Sequence, residues 1–368
     1  VLVVAGAVAA ACGVAVWAGS FKVAIWPLLT TLLWVALCVL LLRNSERWMR
    51  GRTSAMIVIP ALFLSVDLSI HNAANASTGV NAAEIADVLQ PQTKNKTIAF
   101  LKSKIRSGTG TAWRDRVELL GLGFDWQNCS EVHRIESTLG YNPFRIGLVS
   151  QALGARDYNV GADQRTFSPL FPSYRSRLAD MIGMRFIASS APLESIDATL
   201  KPSDLMLVAR TGDAFIYENP RALPRTFLVG AAAGADFDAI LRTGRWPDFD
   251  PRKTVLLQSG QVQLLQRFAA QPDQAPQPSA ENGATIVRYD NAVIEVRTIA
   301  NEAKMLVLND IWHPWWFASV DGVEASLVQA NGIFRAAPVP PGSHVVKFEF
   351  RPFYGAWRDT ARRVVGDD

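Results

Sequence analysis

The chain has 368 residues, 49% of them hydrophobic, which is room for more than one domain. Lys and Arg number 37 against 33 Asp and Glu, and the resulting net charge of +4 is too small a surplus to make nucleic acid the default partner, so none is expected. The 3 cysteines, of which Cys12 and Cys38 fall in apolar runs, exclude a disulfide-stapled scaffold.

Taken in chain order, Val1 to Phe21 carries no charged residue and Val23 to Leu42 carries none again. Each run reaches the roughly 20 residues that cross a bilayer core as a helix. Ser54 to Val66 is shorter, but continued through Asp67 to Ile70 it reaches the same length. Residues 1–72 therefore predict three transmembrane helices with the lipid bilayer as a partner; a signal peptide fits poorly, because its apolar region runs only about 7–15 residues. The link Arg43 to Arg52 holds Arg43, Arg47, Arg50 and Arg52 against Glu46, which places it in the cytoplasm and everything after Ile70 on the outer face of the membrane. A start at Val, inside a hydrophobic run, predicts the C-terminal part of a longer protein.

Residues 73–268 read as an extracytoplasmic domain of α/β or α+β type. Ala82 to Leu89 and Lys94 to Lys104 are helical in pattern, Arg116 to Leu120 is a strand, Leu178 to Met184 a short helix and Arg185 to Ala188 a buried strand. Leu205 to Ala209 and Ala214 to Glu218 form a hairpin pattern around the turn Thr211-Gly212-Asp213. Arg225 to Val229 is a strand, Ala235 to Arg242 a helix and Lys253 to Gln258 a strand. Residues 269–282 (AAQPDQAPQPSAEN) have the composition of a surface linker. From 283 to 352 the apolar period changes to two, with short runs at Thr285, Ala292, Lys304, Trp315, Glu324, Ile333 and His344 separated by turns such as Asp321-Gly322 and Asn331-Gly332. That spacing predicts a β-sandwich. Residues 353–368 read as a polar tail.

No strong catalytic signature is present: there is no HExxH, no paired CxxC, no Walker loop and no G-x-S-x-G, and the 4 histidines lie far apart. Catalytic residues are therefore unassigned, and neither a metal site nor a cofactor is expected in this chain. Asp67, with Asn72 just after it, is either a carboxylate lining a polar site or a residue that hydrogen-bonds the following loop. The run Asp310, Trp312, Trp315, Trp316 either offers indole faces to a sugar ring or fills a sandwich core. Arg114, Arg116, Arg134 and Arg145 either attract a phosphate or make a solvated face.

Several stretches together carry a resemblance: the run ending Val66-Asp67-Leu68 with Asn72 and Asn75; Leu139-Gly140-Tyr141-Asn142-Pro143-Phe144; Leu178 to Ile187; Tyr217-Glu218-Asn219-Pro220; and Leu306 to Gly322 continuing to Val339-Pro340-Pro341-Gly342. In this order and spacing the chain resembles the C-terminal half of the YfhO-like bacterial membrane proteins, which are related to GT-C glycosyltransferases. The resemblance implies transfer of sugar from a polyprenyl-phosphate donor to a cell-envelope glycan, with the catalytic acid in an outer loop upstream of Val1 and a divalent cation, if one is used, in the full-length protein. This chain would then supply the acceptor-positioning body, and Asp67, Asn72, Tyr141, Asp310, Trp312, Trp315 and Trp316 its candidate binding residues. The competing expectation is a non-catalytic envelope scaffold or glycan-binding module.

Overall fold

The computed structural model describes residues 53–72, 85–123, 125–140, 146–154, 161–262 and 283–365, together with scattered positions between Ala10 and Arg43. The chain divides into two compact units, Val1–Asn81 and Ala82–Asp368.

In the first unit the continuous described helix is α1, Thr53–Asn72, which contains Pro60. Its unbroken apolar run, Ala55 to Leu64, is half of what a bilayer core requires. Beyond it Ser65 and Ser69 turn their hydroxyls back onto the carbonyls of Ala61 and Ser65, and Asp67 places a carboxyl between them. Among the described residues no helix is long and apolar enough to cross a membrane, which overturns the expected membrane-helical N-terminal part. The apolar runs Val1–Phe21 and Val23–Leu42 lie largely outside the described residues; those described there, such as 29–37, are helical.

The second unit is an α/β body whose described strands form three sheets. The first sheet takes the order β2-β1-β3-β5-β4, from β1 (Arg116–Leu120), β2 (Glu136–Ser137), β3 (Met184–Ser189), β4 (Met206–Arg210) and β5 (Phe215–Glu218). β1 runs parallel to β2 and β3, whereas β4 and β5 form the antiparallel hairpin that the Thr211-Gly212-Asp213 turn predicts. Short helices flank it. α2 (Lys96–Lys104) starts where the Asn95 side chain accepts from the backbone of Thr97 and Ile98, and it carries Lys102 and Lys104 in its last turn, where cations favour the helix dipole. α3 (Cys129–His133), α4 (Gly147–Leu153) and α5 (Arg177–Met181) complete this part.

The other two sheets stack as a sandwich. One is antiparallel, in the order β13-β12-β16-β10-β9, from β9 (Gly283–Tyr289), β10 (Val293–Ala300), β12 (Trp316–Val320), β13 (Val323–Ala325) and β16 (Gly342–Phe350). The second, β6-β11-β15-β14-β8-β7, joins β11 (Lys304–Leu308), β14 (Val328–Ala330) and β15 (Phe334–Val339) to β6 (Thr226–Val229), β7 (Ala231–Ala235) and β8 (Thr254–Gln258). The sheet thus draws strands from both sides of residues 269–282, themselves outside the described residues, because β6 pairs β11 from Met305↔Val229 to Leu308↔Thr226. Ile286, Ile294, Val296, Val346 and Phe348 meet Leu306, Leu308, Ala337 and Val339 between the sheets. Met305, Val307, Val255 and Leu257 fill the opposite face of the second sheet, so β11 and β15 are buried on both sides and lose the alternation of a half-exposed strand. The lone cysteine of this unit, Cys129, is buried, and burial raises its thiol pKa to about 12.

Residues 352–365, expected as part of a polar tail, form α7 (Pro352–Val365). Its polar side faces inward: Gly355 lies against the Trp315 ring and Asp359 accepts from the indole N–H of Trp315 at 2.7 Å. Phe353 is 91% and Trp357 68% exposed, so the aromatic side points out.

α6 (Phe237–Thr243) ends on Gly244 at φ +68°, where an added Cβ would run into the carbonyl of Pro169. Gly244→Ala combines left-handed strain with a backbone collision and should cost about 2–3 kcal/mol in denaturant unfolding. Gly110→Ala, at φ +82° in open space, should cost about 1 kcal/mol or a little more.

Candidate functional site

Where the first sheet meets the sandwich, five elements send a polar side chain to one point. Asp310 stands two residues after β11, and burial pushes its carboxyl upward while three guanidiniums pull the other way. Arg116 Nη2 lies at 2.7 Å, Arg225 Nη1 at 3.0 Å and Arg335 Nη2 at 3.3 Å, and the Tyr289 hydroxyl donates at 2.7 Å. The attraction of Arg225, Arg116 and Arg335 wins, and the Asp310 pKa falls well below the usual carboxylate range. Arg225 is 1% exposed and Arg335 2%, so the group is a buried charge network.

Backbone contacts hold the network in register. Arg116 Nη1 donates to the carbonyls of Ile182 and Asn309, at 2.6 and 2.9 Å, and Arg225 Nη2 donates to that of Arg114 at 2.8 Å. The loop before β1 also joins the sandwich edge, with Gly110 N–H on Ile286 O at 2.8 Å and Ile286 N–H on Thr111 O at 2.9 Å.

Glu136, on β2, extends the network outward. It accepts from Arg114 Nε at 2.6 Å and Arg225 Nη2 at 2.6 Å. Burial raises its pKa, but Arg225, Arg116 and Arg114 together carry it below its ordinary value. The Tyr289 phenol is pushed upward by burial first and by Asp310 next, which keeps it a neutral hydrogen-bond donor. The Arg114 guanidinium lies over the Tyr289 ring at 3.9 Å from the centroid and covers one aromatic face.

Above Arg114, Arg116, Glu136 and Tyr289 opens a cavity of about 1130 Å³, completed by Ser107, Gly108, Ser130, Glu131, Arg134, Ile135, Ser137, Asp290, Asn291 and Ala292. Arg134 reaches its rim from the end of α3, in the left-handed conformation at φ 55°. Asp290 is occupied by Arg288 at 2.6 Å. Among the described residues no group of three or more His, Cys, Asp and Glu is placed to hold a metal ion.

The residues singled out from the sequence lie apart. Asp67 and Asn72 are on α1, in the other unit, and Asp67 is half-buried with an interaction of its own. Tyr141 and Arg145 lie outside the described residues. Trp315 is engaged by Asp359 and by the His313 ring at 4.8 Å. Trp316 has the Arg335 guanidinium over its ring at 3.7 Å and Phe350 at 5.4 Å. Trp312 is half-buried and donates its backbone N–H to Ile333. Of that set, Asp310 alone belongs to the network beneath the cavity, and its oxygens are taken by its own neighbours. Arg114, Arg116 and Arg134, close in sequence, do converge on one cavity. Glu136, Arg225, Tyr289 and Arg335 were not anticipated. The available signal was a lone arginine inside each of two apolar runs, Leu223 to Val229 and Ile333 to Ala337, since a buried guanidinium requires a carboxylate partner.

A second buried ion pair closes on itself. Glu118 accepts from Arg165 Nε at 2.8 Å and from the Tyr174 hydroxyl at 2.5 Å, and all three side chains are buried.

Comparison with protein-family models, with curated proteins and with solved structures finds no match. The likeness to YfhO-like proteins rests on the sequence stretches alone. Of the expectations attached to it, the membrane-helical N-terminal part is corrected, because among the described residues no helix is long and apolar enough to cross a membrane, and the glycosyltransferase expectation finds no support in any comparison.

Asp310→Asn removes the charge that holds three guanidiniums and should destabilise the protein by about 3–5 kcal/mol in chemical unfolding. Because the folded pKa of Asp310 is depressed, its contribution is complete above the unfolded value of about 3.9 and is lost as pH falls toward the folded one. The loss of stability between about pH 5 and pH 2 should therefore be shallower in Asp310→Asn than in the parent, measured by denaturant midpoints at each pH.

Proposed function

We propose that the Ala82–Asp368 unit is a binding body that holds a hydroxyl-rich ligand, of the chemical class of an envelope glycan, in the cavity over Arg114, Glu136 and Tyr289. The observation that carries this reading is the composition of the wall. Ser107, Ser130, Ser137 and Asn291 both donate and accept, Arg134 donates, and Glu131 accepts, while Ile135, Ala292, the Tyr289 ring and the side-chain stems supply an apolar share of the wall about equal to the polar one, as the two faces of a sugar ring require. Sugar hydroxyls each donate and accept, and planar carboxylate and guanidinium groups match pairs of adjacent hydroxyls. A lipid or a flat aromatic ligand would leave those polar groups unpaired. The size suits a short oligosaccharide, being at or slightly above the range of about 300–1,000 Å³ typical of small-molecule sites.

A preorganised wall also favours binding. Arg114, Glu136 and Tyr289 are fixed by one another and by the buried network, so little side-chain order is lost when a ligand enters. The second reading, a scaffold that docks other envelope proteins, is favoured by one feature, the outward aromatic side of α7 at Phe353 and Trp357.

The two locations are separable on the full chain. Asn291→Trp, at an exposed turn on the cavity rim, should weaken glycan binding at least tenfold on a glycan array and in calorimetry, with unfolding unchanged. Trp315→Ala should lower stability by about 2 kcal/mol and leave glycan affinity intact. Loss of binding in Trp315→Ala with full binding in Asn291→Trp would move the ligand to the aromatic cluster and end the cavity reading. Retention of a co-purifying protein partner that Trp357→Ser abolishes, with no glycan bound, would favour the scaffold.

A further inference from the structure

The cavity rests on an uneven charge balance. Arg114, Arg116, Arg225 and Arg335 surround Asp310 and Glu136, four guanidiniums against two carboxylates, and the phenol of Tyr289 adds no charge. Buried cations are normally matched one for one, because each unmatched charge keeps its desolvation cost without a local return. The mismatch leaves traces within the network. Burial first, and the neighbouring Arg225 next, lower the Arg116 pKa in spite of Asp310 and Glu136; burial does the same to Arg335. The Nε groups of Arg225 and Arg335 are buried with no hydrogen-bond partner. Burial lowers Arg225 too, but Asp310 and Glu136 carry it above its ordinary value, so the shortage of negative charge falls on Arg116 and Arg335.

The rim adds to the surplus on one side. Arg134 is exposed at the cavity edge, held there by its left-handed backbone, and among the described residues no carboxylate pairs with its guanidinium. Of the carboxylates on the rim, Asp290 is taken by Arg288, which leaves Glu131 facing the cavity alongside Glu136. Arg134, Arg114 and Arg116 thus all line the cavity, and the hydroxyls of Ser130 and Ser137 share its wall.

Resting on the reading of this cavity as a glycan site, we propose that its ligand is an acidic glycan, a saccharide carrying a carboxylate or phosphate substituent that sits between Arg134 and Arg114. Arg134 supplies the uncommitted donor, and Arg114 the guanidinium edge fixed by Glu136 and Tyr289. A planar carboxylate or a tetrahedral phosphate takes paired N–H donors from such guanidiniums, and the sugar ring then extends toward Asn291 and the serine hydroxyls. The partial closure of the cavity lengthens the range of the buried surplus, since screening by salt is weaker there than on an open surface.

The same acidic group could arrive on a sugar or as a free anion, and the test separates these sources. Trigalacturonate, its neutral methyl ester and inorganic phosphate are titrated calorimetrically into the full chain at low and high salt, with the parent and with Arg134→Asn; asparagine tolerates the left-handed backbone of that position. The expected result is binding of trigalacturonate at least tenfold tighter than of its methyl ester, with the difference shrinking at high salt and lost in Arg134→Asn, which binds acid and ester alike. Equal affinity for the acid and the ester overturns the acidic preference and leaves the glycan reading standing. Binding of phosphate with neither saccharide overturns both and makes the cavity a site for small anions. No binding of any of the three overturns both readings.

Discussion

A carboxylate in a protein interior is stable only when its lost hydration is replaced, and Asp310 replaces it with three guanidiniums and a phenol drawn from distant parts of the chain. Arg116 comes from the first sheet, Arg225 from the entry to β6, Tyr289 from the end of β9 and Arg335 from β15. None of these side chains has a sufficient partner within its own element. The first sheet and the sandwich are thereby required to meet at one register, because a shift of one residue would carry Arg116 and Arg335 to the opposite faces of their strands.

The cavity follows from that junction. A junction over a polar network cannot close as two apolar faces would, and the loops around Gly108 and Asn291 and the helix carrying Ser130 border the gap rather than fill it. The same polar groups that fix the junction form its floor, so stability and the proposed recognition draw on one set of residues. The floor's side chains are held by one another, while on the rim Arg134, Glu131 and Asn291 are exposed.

The aromatic run at 312–317 has another role. Trp315 is bound to α7 by Asp359 and Gly355, and Trp316 is sandwiched between Arg335 and Phe350, so the indoles seat a helix and cover the charge network. A tryptophan next to a buried guanidinium offers its electron-rich face to a cation that has lost water. The helix seated in this way turns Phe353 and Trp357 outward, an arrangement set by where its polar residues find partners.

Local order was largely legible. The period-two runs after residue 283, the turns Asp321-Gly322 and Asn331-Gly332, and the hairpin around Thr211-Gly212-Asp213 are decided by backbone sterics and by side chains a few residues apart, and strands stand at those places. Ala231–Ala235 was not legible as a strand, because small residues carry little β preference and its pairing with β8 is a tertiary contact. Nor was the helical end at 352–365, where the inward face is polar and hides the usual pattern. The apolar N-terminal runs suggested spans on length alone, whereas Ser65, Asp67 and Ser69 cut short the apolar surface of α1. By itself, then, the sequence determined most strands of the sandwich, the turns between them and the hairpin around Thr211-Gly212-Asp213, since those depend on neighbours along the chain. Only the tertiary structure decided which arginines surround Asp310 and that Arg114, Arg116 and Arg134 share a cavity. The physical reason is that a charge reads the same in sequence whether it faces water or another charge, and the exclusion of water is settled by contacts between residues as far apart as Arg116 and Asp310.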